Sequence, residues 1–332
     1  MKAYMIDSRS FDHYDYGQEK EIFKNAGIDL EFVECMNEDD VIAKCSDADA
    51  ILDVYVKVGP KAYDAMPNLK ALVRYGVGFD VYDVPEATKR GIKVCNIPFY
   101  CIEEVAVHTI ALILAASRNI VSFTHNIRNG SYLLEGFEGN VTMHSPRFTT
   151  VGMVGFGNIP RRTAQGLKAI GYKIMAYDPF LPQEKFDEAG ATRGTLEEVL
   201  SQADIISPNV PLNPSTYHII NEDAFKMMKD GVIIANTGRG ALIDEAALIA
   251  NLKSGKVAAA GLDVFEGDHL PAGHPFYEMD NVILTPHAAF KTEESFLELC
   301  KQVALTAVAV LNEDYDSIMP NIVNKRDLGL IK

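Results

Sequence analysis

A chain of 332 residues is too long for one ordinary hydrophobic core, so two domains are expected. Apolar residues make up 48% and charged residues 23%, the balance of a soluble globular protein. A formal charge of −15 argues against a basic face, so neither nucleic acid nor an anionic membrane surface is an expected partner. Five cysteines, Cys35, Cys45, Cys95, Cys101 and Cys300, show no CxxC spacing and read as free thiols of a reducing, cytoplasmic compartment. The opening MKAYMIDSRSF lacks the apolar segment of a secretion signal, and no apolar run reaches the roughly 18 residues of a membrane span.

In chain order, strands are expected at Lys2–Ile6, Leu30–Val33, Ala50–Val56, Leu72–Tyr75 and Ile92–Cys95. Helices are expected between them at Gln18–Ala26, Val41–Cys45 and Pro60–Ala65, the last with proline at its start. This alternation predicts a parallel sheet with helices on both faces. Ile102–Ile120 reads as one long, mostly apolar helix linking two domains, followed by an irregular excursion over Arg128–Pro146. The helix Val105–Ala116 and the aromatic stretch Ser131–Phe137 together predict an apolar patch, and from it a homodimer. Further strands are expected near Ile205–Ile206, Gly231–Asn236, Ala258–Asp263 and Val282–Thr285. Helices are expected at Leu196–Gln202, Glu222–Met228, Glu245–Ser254 and Glu293–Asn312.

The stretch Thr149–Asp178 organises the second half. An apolar run ends in Gly155-Phe156-Gly157, a helical segment begins at Asn158, and a second apolar run ends on Asp178. Strand, glycine turn, helix, strand and acid is the order of a dinucleotide-binding βαβ unit. Gly155 permits the tight turn, and Gly157 lets the backbone approach a pyrophosphate. The first helical amides and the helix dipole then favour its charge. Asp178 lies 23 residues past Gly155, near the roughly 20 expected of the acid that accepts the ribose hydroxyls. No Arg or Lys follows it in Pro179-Phe180-Leu181-Pro182, and the next cation is Lys185, so NAD is expected over NADP. The third glycine of GxGxxG is replaced by Pro160, which is tolerable near a helix start.

Three segments that follow strands carry candidate chemistry. Arg239, between two glycines in NTGRGALIDE, offers a planar fork for a carboxylate; a structural ion pair is the competing reading. GLDVFEGDHLP carries Asp263, Glu266 and Asp268, and LTPHAAF carries His287. A histidine beside a carboxylate makes an acid/base pair. No metal-ligand cluster has sensible spacing, so no metal is expected.

RYGVGFD, GIKVCNIPFY, VAVHTIALILAASR, GFGNI, NVPLNPSTYHII, NTGRGALIDE, GLDVFE, TPHAAF and PNIVN cover most of the chain. Together they resemble the D-isomer-specific 2-hydroxyacid dehydrogenases, in particular the branch that resembles phosphoglycerate dehydrogenases and C-terminal binding proteins. The resemblance implies two doubly wound α/β domains. A Rossmann-type NAD-binding domain, residues 103–290, would be inserted into a flavodoxin-like substrate domain made of residues 1–102 and 291–332.

The resemblance further implies that Arg239 grips the substrate carboxylate and polarises the keto oxygen. His287 would donate the proton, paired with Asp268, and Asp263 would orient the nicotinamide. Thr109, Asn158, Ile159, Asp178, Val210, Pro211, Thr216, Thr237 and Gly238, with Gly155 and Gly157, fall where the family lines NAD. Val77 and Gly78 fall where the family's backbone amides meet the substrate carboxylate, and Tyr100 falls near the substrate; Tyr55, Phe99 and Tyr100 lie in segments expected near the pocket, with ordinary core the competing reading. The family's usual Glu is here Asp268, one methylene shorter, with Glu266 the weaker substitute. Val107 and Asn209 also depart from the pattern. The expected activity is interconversion of a (R)-2-hydroxy acid and a 2-keto acid with NAD. An NAD(H)-sensing binding protein is the alternative, and a turnover assay separates the two. Lys57 and Arg74 are cations near the substrate segments, but the sequence alone does not assemble them into a phosphate site.

Overall fold

In the computed structural model, which describes residues 1–11, 14–130, 141–267 and 269–331, the alternation of the first hundred residues becomes β1 (Lys2–Met5), α1 (Gly17–Asn25), β2 (Asp29–Phe32), α2 (Glu38–Lys44), β3 (Ala50–Asp53), α3 (Pro60–Ala65), β4 (Ala71–Arg74), α4 (Val84–Lys89) and β5 (Lys93–Cys95). All pairings are parallel, in the order β2-β1-β3-β4-β5. β3 and β4 are buried at every residue, which is why they read as apolar runs and not as alternating patterns. Side-chain caps fix helix starts: Asn37 accepts the Asp40 amide and Asp83 the Glu86 amide. α4, not among the expected helices, is only six residues long with Ala87 as its one buried residue.

The second unit starts with α5 (Ile102–Ser117) and α6 (Ile120–Arg128). The single long helix expected here is two, bent by 58°. Asn119 sits between them at φ 53, and its carboxamide bonds both the amide and the carbonyl of Val141. After them come β6 (Thr150–Val154), α7 (Asn158–Ala169), β7 (Lys173–Tyr177), α8 (Gln183–Ala189), β8 (Thr192–Arg193), α9 (Leu196–Gln202), β9 (Ile205–Pro208), α10 (Glu222–Met227), β10 (Val232–Asn236), α11 (Glu245–Ser254), β11 (Val257–Leu262) and β12 (Val282–Leu284). The sequence reading missed α8 and β8; β8 has two residues, both exposed, so it carries no apolar signal.

These strands form one parallel sheet in the order β12-β11-β10-β9-β6-β7-β8. Counted from β6, this is the doubly wound 3-2-1-4-5-6 order with one strand added. The order reverses between β6 and β9, and ligands of such sheets sit outside the carboxyl ends of the strands there.

The last helix, α12 (Glu293–Leu311), begins at a capping box of Thr292 and Ser295 and packs on α1, β3 and β4. Both chain ends therefore build one unit, Met1–Tyr100 with Thr292–Lys332, and Cys101–Lys291 forms the other.

The apolar side of α5 does not form the open patch expected of it. Val105, Ala106, Leu112, Ile113 and Ala116 are buried within the unit, where α5 packs on α7, β10 and β11. Ser131–Phe137 lies outside the described residues.

Candidate active site

The turn after β6 is shaped by Gly155. Its φ is +94, and a Cβ there would come within 2.8 Å of the Asn209 backbone at the end of β9. Only glycine fits such a turn without strain. Gly157 is the N-cap of α7, and a Cβ on it would meet nothing within 4 Å. Open space therefore lies before the helix, bordered by amides with no intrahelical partner. Arg161 reaches back, donating to the Phe156 carbonyl at 2.8 Å and to Asn158 Oδ1 at 2.7 Å. Ile159 is half-buried beside them. Asp178 directly follows β7, with Oδ2 accepting the Phe156 amide and Oδ1 the Phe180 amide, each at 3.0 Å.

The other expected cofactor residues gather on this edge of the sheet. Val210 is half-buried and Pro211 exposed after β9. Thr216 donates its hydroxyl to the Pro211 carbonyl at 2.6 Å, so it closes that loop. Thr109 is fully buried in α5, and its hydroxyl meets that of Thr237 at 2.7 Å. Gly238 donates its amide to Asn236 Oδ1 at 3.0 Å. A glycine cradle, free helical amides and a carboxylate at the next strand end fit a dinucleotide.

Arg239, Asp263 and His287 follow β10, β11 and β12, three neighbouring strands. Buried Asn236 holds the Arg239 carbonyl at 2.9 Å, and Arg239 Nη1 donates to the Gly238 carbonyl at 2.9 Å. Asp263 is fully buried. Its Oδ1 accepts the Thr285 hydroxyl at 2.6 Å and the Ala288 amide at 2.9 Å, and its Oδ2 accepts the Ala289 amide at 2.9 Å. The Asp263 carbonyl accepts the His287 amide at 2.8 Å. His287 itself sits at φ 51, a conformation that this ring of bonds imposes on a non-glycine residue. Asp263 thus acts on the loop that carries His287, since its own carboxylate faces no solvent.

His108, the histidine of the VAVHTIALILAASR motif and not among the expected site residues, places Nε2 3.0 Å from the Thr285 hydroxyl and 3.6 Å from Asp263 Oδ1. Its signal was a polar residue breaking the apolar face of a helix. Glu266 Oε1 accepts Tyr217 Oη at 2.9 Å and pairs with His218 Nε2 at 3.0 Å. Asp268 lies outside the described residues. Among the described residues no cluster of three or more His, Cys, Asp or Glu is placed to hold a metal.

In the first unit, Asp7 Oδ2 accepts the Tyr55 amide at 2.6 Å, and both carboxylate oxygens accept the Val54 amide at 2.9 Å. Burial raises the Asp7 carboxyl above the usual carboxylate range. Tyr55 is half exposed, with the Arg74 guanidinium 5.6 Å from its ring centroid. Val77 and Gly78 are half-buried after β4, and Asn96 Nδ2 donates to the Val77 carbonyl at 2.5 Å. Tyr100 packs partly buried against the core. Asp53, at the end of β3, is fully buried, takes a hydrogen bond from the Tyr82 hydroxyl, and is pushed by burial up to about 8.

Residues 110–289 match the profile of the D-isomer specific 2-hydroxyacid dehydrogenase NAD binding domain. The chain belongs to the D-isomer specific 2-hydroxyacid dehydrogenase family. Among its relatives in this family is a glyoxylate reductase of Thermofilum pendens, 37% identical over 301 residues that cover 88% of this chain and 86% of the relative. A D-3-phosphoglycerate dehydrogenase of Archaeoglobus fulgidus is 34% identical over 90% of this chain and 55% of its own length. A crystal structure of D-lactate dehydrogenase from Aquifex aeolicus, complexed with NAD and lactic acid, superposes with a TM-score of 0.85 at 28% identity, covering 97% of this chain and 99% of that one. NAD is the cofactor of the family's binding domain, and the glycine turn and Asp178 supply a cradle of the kind it needs.

Proposed function

We propose that the protein is an NAD-dependent D-2-hydroxyacid dehydrogenase that interconverts a (R)-2-hydroxy acid and a 2-keto acid. The observation that carries this reading is the sequence of three neighbouring strand ends bearing Arg239, Asp263 and His287, on the same sheet as the glycine turn. The bound nicotinamide supplies or takes up the hydride. Arg239 receives the substrate carboxylate on its planar fork and opposes the charge that develops on the keto oxygen. His287 gives a proton to that oxygen in reduction and removes it in oxidation. Asp268, the acid that the sequence assigns to His287, would favour the imidazolium. Asp263, with Thr285 and His108 behind it, keeps the His287 loop in place. The Val77 and Gly78 amides, with Tyr55 and Tyr100, serve substrate recognition. The likeness to glyoxylate reductases favours a small keto acid.

A homodimer belongs to the same proposal. With the α5 patch buried, its support is the exposed apolar set Ile120, Val121 and Ile127 on α6. A cytoplasmic location is supported by five buried free cysteines.

The test is steady-state NADH oxidation with glyoxylate, pyruvate, hydroxypyruvate, phosphohydroxypyruvate, 2-ketoisocaproate and phenylpyruvate. Turnover of at least one is expected. Tight NADH binding with no turnover of any would instead favour the NAD(H)-sensing reading.

A further inference from the structure

No Arg or Lys stands at residues 179–182 after Asp178, but the fold brings a cation from elsewhere in the chain to the same place. Arg193 lies on β8, paired with Ala176 of β7 two positions before Asp178. Its Nη2 is 3.4 Å from the Asp178 carbonyl oxygen, a long contact that commits little of the guanidinium. Its Cζ sits 5.1 Å from the centroid of the Phe186 ring, whose face holds the head group where it is. Among the described residues no carboxylate pairs with Arg193, whereas the nearby cations are engaged: Lys185 with Glu188 at 2.8 Å, and Arg161 with the Phe156 carbonyl and Asn158. The Asp178 carboxylate, in turn, already accepts two backbone amides.

We propose that Arg193 is a specificity-determining residue that gives the adenosine end a site for a 2′-phosphate, so that the protein binds NADP(H) as well as NAD(H). The inference rests on the dehydrogenase reading for the placement of the ribose at Asp178. A positively charged fork beside the ribose acid matches a phosphate with two donors and offsets the repulsion from Asp178. Asp178 keeps NAD(H) the preferred form, and Arg193 limits the penalty against NADP(H).

The experiment is a fluorescence titration of NADH and NADPH against the unmodified protein, Arg193→Gln, Asp178→Ser and the double variant. Arg193→Gln is expected to raise the NADPH Kd at least tenfold more than the NADH Kd. Asp178→Ser is expected to tighten NADPH binding, and adding Arg193→Gln should abolish that gain, so the site can be read even where Asp178 masks it. Equal effects of Arg193→Gln on both cofactors, in both backgrounds, would overturn the proposal while leaving the dehydrogenase reading intact. Absence of NADH binding by the unmodified protein would overturn both.

Discussion

Thr285 donates its hydroxyl to Asp263 at 2.6 Å, and through this bond the end of β12 is tied to the end of β11. Two amides of the His287 loop bind the same carboxylate. Asp263→Asn puts an amide donor against groups that are themselves donors, and leaves at least one of them unpaired. A loss of about 2 kcal/mol in stability is expected. A fall in kcat of tenfold or more is expected with it, because His287 is no longer held. Urea unfolding and steady-state kinetics check this, and kcat within twofold of the unmodified protein would show that the loop does not depend on Asp263.

Arg239→Lys keeps the charge and loses the fork. Keto-acid reduction is expected to fall about a hundredfold or more, with NADH affinity changed only a few-fold. Near-normal turnover would make Arg239 a structural residue.

Asp178→Ser removes the carboxylate that receives the ribose hydroxyls. The NADH Kd is expected to rise about tenfold or more, since hydrogen bonds to a charged group are worth about 1.5–3 kcal/mol. An unchanged Kd would place the ribose elsewhere.

Burial holds the Asp53 carboxyl at about 8, against an ordinary 3.8, with Asp7 adding to the rise and Arg74 and the Tyr82 hydroxyl opposing it. Between those values the folded state keeps a proton that the unfolded state has lost. Stability from this group is therefore full below pH 3.8, declines as pH rises, and is gone above about 8. The slope is at most about 1.4 kcal/mol per pH unit. Asp53→Asn is expected to lose less stability between pH 5 and pH 8 than the unmodified protein. Equal losses in denaturant unfolding at the two pH values would contradict this.

Much of the frame was legible before the fold. The buried strands β3, β4, β9 and β10 read as apolar runs because helices cover both faces of a parallel sheet. The turn at Gly155–Gly157 announced itself because a positive φ and close approach to Asn209 need glycine. What escaped the sequence reading depends on contacts across the sheet. β8 is too short and exposed to carry a pattern, so Arg193 could not be placed beside Asp178. His108 reaches Thr285 across 177 residues of chain, and no local spacing encodes that bond. The helix break at Asn119 depends on Val141, also distant in sequence.

NADH-dependent reduction of a 2-keto acid is expected to give one enantiomer. The most direct measurement couples NADH oxidation by the purified protein to chiral analysis of the product from hydroxypyruvate, pyruvate or the keto acid that turns over fastest. Stoichiometric loss of NADH and formation of the (R)-2-hydroxy acid alone are expected. Formation of the (S) enantiomer or a racemate, or NADH oxidation no faster than with Arg239→Lys, would contradict it.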